Sequence, residues 1–393
     1  MTNTARVAGV GMVPFTKPGT SDTYDVMGAN AVRAALEDSG LSYDKIQQAY
    51  VGYVYGDSTY GQSALYPVGL TGIPIVNVNN NCSTGSTALF LARQAVESGA
   101  VDCALALGFE EMDRGALGTR YRDRKPPMVI HKEGMVRAQG LDPEAPFASQ
   151  FFGGAGREYS EKYGTRRETF AKISEKARRH AANNPFAIFR DPLTVEEILA
   201  SKQIYGPLTR FQCCPPTCGA AAAIVVSPAF AKKHGIKGVE IVAQTMTTDT
   251  TRAFEGDSMI HIIGYDMARD AADYVYERSG IGPDEVDVVE LHDCFTANEL
   301  LTYEALRLTD EGTAEKFIWD GDNSYGGRVV TNPSGGLLSK GHPLGATGLA
   351  QCAELVWQLR GEADKRQVEG AKVALQHNLG LGGACVVTMY RNA

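Results

Sequence analysis

The chain predicts a layered α/β fold made of two copies of one half, with a separate segment inserted between them. Three observations predict it. A helix-to-strand passage recurs 240 residues apart, a small-residue helix start recurs with Gly, Thr and Leu in register, and the stretch between differs in charge and pattern.

The first helix opens at Tyr24-Asp25 and stops at Ser39-Gly40, where glycine can take the left-handed conformation that ends a helix. A strand, Ala49 to Val54, follows. The second half repeats this: Tyr265-Asp266 opens a helix, Ser279-Gly280 closes it, and Val288 to Leu291 reads as the strand. Next, β-branched Val76 to Val78 passes through asparagines into Cys82-Ser83-Thr84-Gly85-Ser86-Thr87-Ala88-Leu89. Its match is His342-Pro343-Leu344-Gly345-Ala346-Thr347-Gly348-Leu349, which makes His342 the expected counterpart of Cys82. A third landmark pairs the strand Ala104 to Gly108 with Val373 to Gly380. Three landmarks in the same order identify a duplication. Packed as layers, the two helix starts meet near the centre and bring Cys82 and His342 face to face.

Residues 116–209 carry Pro126-Pro127, Gly134, Gly140, Gly153-Gly154 and short helical patches, as expected of an inserted subdomain. From Arg114 to Arg210 there are 18 Lys/Arg against 11 Asp/Glu, in a chain of net charge −8. Such a basic island fits a small phosphorylated ligand; a solvated helical surface of mixed charge explains it equally well. No array of interleaved aromatic and basic residues points to nucleic acid. Gly219 to Val226 then reads as a strand returning to the first sheet. The expected division is therefore 1–115 for the first half, 116–209 for the insertion, 210–254 for the return of the first half, and 255–393 for the second half.

No apolar run is long enough to span a bilayer, and Met1 to Lys17 lacks the basic and apolar regions of a secretory signal. The ending Arg391-Asn392-Ala393 differs from a Ser-Lys-Leu peroxisomal address. A cytoplasmic protein, of bacterial source, is expected. The eight cysteines show no disulfide framework. Cys213, Cys214 and Cys218 lie close together without a nearby histidine, so they read as structural and no metal site is expected.

Chemistry gathers at four places. Cys82 stands at a helix start, where unpaired N–H groups and the helix dipole favour a thiolate. His292-Asp293-Cys294-Phe295 follows a strand and offers an imidazole and a second thiol. Asn332-Pro333-Ser334-Gly335-Gly336 leads a glycine-rich loop to His342, and Ser334, Gly335 and Gly336 let backbone approach a ligand closely. Asn378-Leu379-Gly380-Leu381-Gly382-Gly383 lies between a strand and a second strand containing Cys385.

These segments resemble the thiolase superfamily over essentially the whole chain, and within it the sterol carrier protein-type thiolases. Asn79 to Leu89 is similar to the nucleophile segment, "HDCF" at His292 to Phe295 to the subfamily signature, and "GHPLGATG" at Gly341 to Gly348 to the histidine motif. The resemblance implies a duplicated five-layered α/β/α/β/α fold with a loop domain over coenzyme A, and a homodimer. It also implies thiolytic cleavage of a 3-ketoacyl-CoA: His342 activates Cys82, which attacks the keto carbon and becomes acylated. Most thiolases protonate the leaving enolate from a C-x-G cysteine. Here that triplet is Asn378-Leu379-Gly380, so Cys294 is expected to take the role, with Cys385 a core residue. His342 and His292 would hold the enolate oxygen, and the N–H groups of Cys82 and Gly380 the tetrahedral oxyanion. Acyl-CoA and CoA are the expected partners, with CoA a co-substrate and no resident cofactor. Two alternatives remain: a retro-aldolase cleaving 3-hydroxyacyl-CoA side chains, whose known examples lack the nucleophilic cysteine, and a non-catalytic acyl-CoA or lipid-binding protein.

Overall fold

The computed structural model describes residues 4–113, 115, 118 and 120–392. The first half runs β1 (Arg6–Met12), α1 (Tyr24–Ser39), β2 (Gln48–Gly52), α2 (Tyr60–Leu65), β3 (Ile75–Val78), α3 (Thr84–Glu97) and β4 (Cys103–Glu110). The insertion follows as α4 (Val129–Gln139), α5 (Phe147–Tyr163), α6 (Arg167–Ala181), α7 (Val195–Ala200) and the hairpin β5 (Gln203–Tyr205) and β6 (Leu208–Thr209). The chain then returns through β7 (Gly219–Val226) and α8 (Pro228–His234). The second half comprises β8 (Val239–Thr247), α9 (Met259–Ile262), α10 (Tyr265–Ser279), β9 (Val288–Glu290), α11 (Thr296–Ala305) and α12 (Ala314–Trp319), then β10 (Val330–Thr331), α13 (Gly336–Ser339), α14 (Thr347–Arg360), β11 (Val373–Gly380) and β12 (Ala384–Asn392).

The strands form a mixed sheet in the order β10-β9-β11-β12-β8-β1-β7-β4-β2-β3. It is two five-stranded units joined edge to edge, where Arg6 pairs with Glu240 and Val7 with Val239. Counted outward from that seam, the units are the same: an antiparallel strand pair, a further antiparallel partner, then two parallel strands. The expected duplication is present strand for strand, and β7 rejoins the first unit as foreseen.

Two details differ. β8 pairs along its length with β12 and touches β1 at only two positions, so the second half begins at β8 and not at residue 255. The expected boundary at 115/116 falls beside residues 114, 116, 117 and 119, which lie outside the described residues. The second correction concerns register. α3 and α14 each have 14 residues, so Thr84 matches Thr347 and the structural counterpart of Cys82 is Gly345. His342 lies three residues earlier, on the loop leading in.

The layers follow from burial. α1 and α10 cover the outer faces, while α3 and α14 are sandwiched between the two units, giving α/β/α/β/α. Ala88, Leu89, Ala92 and Val96 of α3 share one apolar core with Leu349, Ala353, Leu355 and Val356 of α14 and with strand residues of both units. The helices cross where both carry glycine: a Cβ on Gly348 would lie 2.3 Å from the Ser86 nitrogen, and one on Gly85 would lie 2.7 Å from the Gly345 oxygen. Small residues here set the closeness of the two helix starts.

The insertion packs on the second unit. Phe152 stacks on Phe295 at 4.9 Å, and Lys176 of α6 is buried in an ion pair with Glu299, hydrogen-bonded also to Tyr303 and Thr331. Arg178, likewise buried, lies over the Phe189 ring. Part of the basic excess is thus structural: Lys176 docks the insertion on the second unit and Arg178 packs within the insertion. No helix among the described residues is long and apolar enough to cross a membrane.

Candidate active site

Cys82 sits in a turn built by its polar neighbours. Asn81 holds φ +51°, a left-handed conformation that asparagine tolerates, and its Nδ2 donates to the Leu381 oxygen at 2.8 Å. The Thr84 hydroxyl accepts from the Asn80 N–H at 2.9 Å, and Ser83 donates to the Asn80 oxygen. The run of Asn, Ser and Thr read as a strand-to-helix passage is therefore a hydrogen-bonded socket for the cysteine. Gly380 closes it from the other unit, since a Cβ there would lie 2.3 Å from the Asn80 oxygen.

The thiol is not the stabilised thiolate that a helix start suggested. Burial, and next the Glu110 carboxylate, push it up to about 12, against the opposing N–H groups of Cys82 and Leu381. Ser83, not Cys82, is the residue flanking the helix, and the desolvation outweighs the dipole. A thiol raised in this way is a nucleophile only where a neighbouring base can take its proton.

Two imidazoles stand beside it. Ligand atoms of Cys82, His292 and His342 all lie within 4.8 Å of one another, and the two imidazoles meet edge to face with centroids 5.1 Å apart. His342 is fixed through its backbone N–H on the Thr217 hydroxyl at 3.1 Å, and its Nδ1 lies 2.7 Å from the Thr347 hydroxyl. Its Nε2 is buried without a hydrogen-bond partner, and burial lowers the ring to about 3, so it stands neutral. His292 is held by Asn378, whose Nδ2 lies 3.0 Å from its Nδ1, and burial first, then His342 and His377, keep it neutral too.

Cys294 is buried, and its thiol is pushed well up by burial, with further contributions from Cys214 and Cys82, which places all three thiols in one electrostatic neighbourhood. Cys385 stands apart, paired in the sheet with Leu379 and Thr247 inside the apolar core and raised by burial alone. Asp293 accepts from the Leu337 and Leu338 N–H groups at 2.7 and 3.3 Å, anchoring the start of α13.

Ser334, Gly335 and Gly336 do not present themselves to a ligand as the glycine-rich pattern suggested. All three are buried; the Ser334 hydroxyl donates to Glu290 at 2.8 Å, Gly335 packs against Ala181, and Gly336 against the Asp293 carboxylate. They shape the loop carrying His342.

Three contributors escaped the sequence reading. Cys214, taken as structural, donates its N–H to the Cys294 oxygen at 2.9 Å, and its thiol is raised by burial and then by Cys82. Glu110 is a buried carboxylate accepting from the N–H groups of Val54, Tyr55 and Gly345 at 3.2, 2.9 and 3.0 Å. The Leu381 N–H, one residue beyond Gly380, works against the burial that raises the Cys82 thiol. Only the doubled cysteine at 213 and 214 was a signal of any kind.

A hydrogen-bonded thiol beside two neutral imidazoles, with a second, buried thiol nearby, is a set of groups suited to covalent acyl transfer. Residues 6–205 match the thiolase N-terminal domain and 251–390 the thiolase C-terminal domain-like family. The chain belongs to the thiolase family. Sterol carrier protein 2 of Rattus norvegicus is 58% identical over 390 residues, covering 98% of this chain and 71% of the relative. The benzoylsuccinyl-CoA thiolase subunit BbsB of Thauera aromatica is 36% identical, covering 98% of this chain and 97% of the relative. The structure of human mitochondrial 3-ketoacyl-CoA thiolase in complex with CoA superposes with a TM-score of 0.75 at 19% identity, covering 100% of this chain and 98% of that one. The chain is thus an acyltransferase of the 3-ketoacyl-CoA thiolase type, using CoA as co-substrate.

Proposed function

We propose that the substrates are 3-ketoacyl-CoA esters with branched or sterol-related acyl chains, and that Cys82, His292, Cys294 and His342 carry the reaction. The likeness to sterol carrier protein 2 supports the substrate class. The convergence of Cys82, His292 and His342 carries the mechanism.

Cys82 Sγ attacks the keto carbon as its proton passes to His342 Nε2. Collapse of the tetrahedral adduct breaks the carbon–carbon bond, leaving acyl-Cys82 and the enolate of acetyl-CoA, or of propionyl-CoA where the substrate carries a 2-methyl branch. His292 and protonated His342 hold the enolate oxygen, and the Cys294 thiol gives its proton to the enolate carbon. The Cys294 thiolate then takes the proton of an incoming CoA thiol, which attacks the acyl carbon. Cys82 is expelled and recovers its proton from His342, so every group returns to its starting state. The Cys82 and Gly380 N–H groups serve the tetrahedral oxygen, with Leu381 beside them.

A retro-aldolase reading draws on the "Ltp2-ChsH2(DUF35) aldolase" structure, similar in fold at a TM-score of 0.83 and 23% identity. Cys82 and its socket favour thiolysis. Turnover of a panel of 3-ketoacyl-CoA esters, from short linear to branched and steroid-derived, tests the proposal. Cys82→Ser should abolish CoA-dependent cleavage; an active Cys82→Ser that cleaves only 3-hydroxyacyl-CoA would establish the aldolase instead.

The same reading includes a cytoplasmic homodimer. Among the described residues β3 is an edge strand paired only with β2, and Val76 on it is 39% exposed, so its free edge is open to a second copy.

A further inference from the structure

We propose that Asn378 fixes the tautomer of His292 with the proton on Nε2, which keeps the Cys82, His292 and His342 cluster an oxyanion site and not a metal site. The hydrogen bonds leave one assignment. Gln376 Nε2 donates to the Ser86 hydroxyl at 2.9 Å, so Ser86 donates its own proton to Asn378 Oδ1 at 2.9 Å. The amide nitrogen of Asn378 therefore faces the other way, 3.2 Å from the Cys82 oxygen and 3.0 Å from His292 Nδ1. A carbonyl oxygen only accepts, so one amide proton goes to Cys82 and the other to Nδ1. An Nδ1 that accepts carries no proton; in a neutral ring the proton is on Nε2.

His342 is wired in the opposite sense. Its partner Thr347 donates its hydroxyl proton to the Pro343 oxygen at 2.9 Å, so His342 Nδ1 donates to Thr347 and Nε2 keeps a lone pair. Two neighbouring imidazoles thus present one donor and one base. A thiolate and two imidazoles are otherwise a soft set well suited to zinc, and these three lie close enough together to share an ion. Metal binding at His292 Nε2 would require its proton to move to Nδ1, against the NH₂ of Asn378. The asparagine standing where most thiolases carry the C-x-G cysteine supplies orientation in place of a proton.

The tautomer rests on these hydrogen bonds alone; its value in catalysis rests on the oxyanion role proposed above for His292. Asn378→Asp inverts the polarity, because a carboxylate accepts from Nδ1–H and leaves Nε2 a lone pair. The variant should lose about 10²- to 10³-fold in kcat, as when one oxyanion donor is removed, with KM little changed. It should also bind cobalt(II) with a thiolate charge-transfer absorption, and be inhibited by zinc at concentrations at least about tenfold below those needed for the wild type. Equal metal affinity in both proteins overturns the tautomer. Tighter metal binding with unchanged kcat leaves the tautomer standing and overturns the oxyanion role. Should the variant fail to fold, nitrogen-15 NMR of histidine-labelled wild type against His292→Gln decides: the signals lost must be an unprotonated Nδ1 and a protonated Nε2, and the reverse overturns the proposal.

Discussion

Single residues divide into those whose chemistry is written in their type and those whose role depends on surroundings. Cys82 and His342 are legible as candidates from their local motifs, a thiol before a small-residue helix and an imidazole closing a glycine-rich loop, although the duplication pairs Cys82 with Gly345. Glu110 could not, since nothing in the chain shows that its carboxylate is buried against three N–H groups. Cys294→Ala should lower thiolysis severely while Cys385→Ala stays near wild type, measured as kcat with one ketoacyl-CoA; the opposite pattern transfers the proton-shuttle role. Glu110 gives a pH prediction. Burial raises it from 4.5 to about 7, so between those values the folded protein keeps a proton that the unfolded chain has lost. That contribution is present at low pH and disappears as pH rises through about 7, a span of about 3 kcal/mol. Relative to Glu110→Gln, the wild type should therefore lose stability from pH 5 to pH 8 in chemical denaturation. Removing this charge also relieves Cys82, so iodoacetamide should alkylate the variant faster at pH 8.

At the scale of elements, strands and helix ends were legible wherever a glycine closed a helix or a β-branched run stood between turns. α1 and α10 begin at Tyr24 and Tyr265 as expected, and β7 and β11 have the expected limits. The register of α3 against α14 was misread because matching Gly, Thr and Leu reward sequence similarity, whereas the helices align by their capped ends. Tertiary pairing placed β8, whose own sequence is neutral between the two units. The α3–α14 crossing is sensitive to volume: Gly348→Ala puts a methyl within 2.3 Å of backbone. Overpacking of this kind costs about 1–3 kcal/mol, and here it also separates the two helix starts. A lower urea midpoint together with a reduced kcat is expected; an unchanged midpoint would show that the helices shift apart freely.

On the scale of the whole molecule, the central helix pair makes one core of two duplicated units, so the reactive groups come from distant parts of the chain. The proposed dimer extends this arrangement through β3, four residues before Cys82. Val76→Lys, which puts a charge on this edge without touching the β2–β3 ladder, should disfavour pairing and give a monomer by light scattering, with lower activity because the nucleophile turn loses its support. A dimer that survives the substitution places the interface elsewhere.

Duplication also means that the molecule contains a second copy of its own reactive pocket. Aligned by their ladders, β4 and β11 place Gly108 opposite Asn378 and Glu110 opposite Gly380, while Gly52 stands for His292 and Gly345 for Cys82. Every reactive group has been replaced, and the Glu110 carboxylate receives the Gly345 N–H, the equivalent of the amide that serves the oxyanion beside Cys82. The silent copy is a pocket filled by the chain's own Glu110 carboxyl, which is charged above about pH 7. By internal symmetry its oxygen on the Gly345 N–H corresponds to the place beside the Cys82 N–H where the proposed mechanism puts the tetrahedral oxyanion.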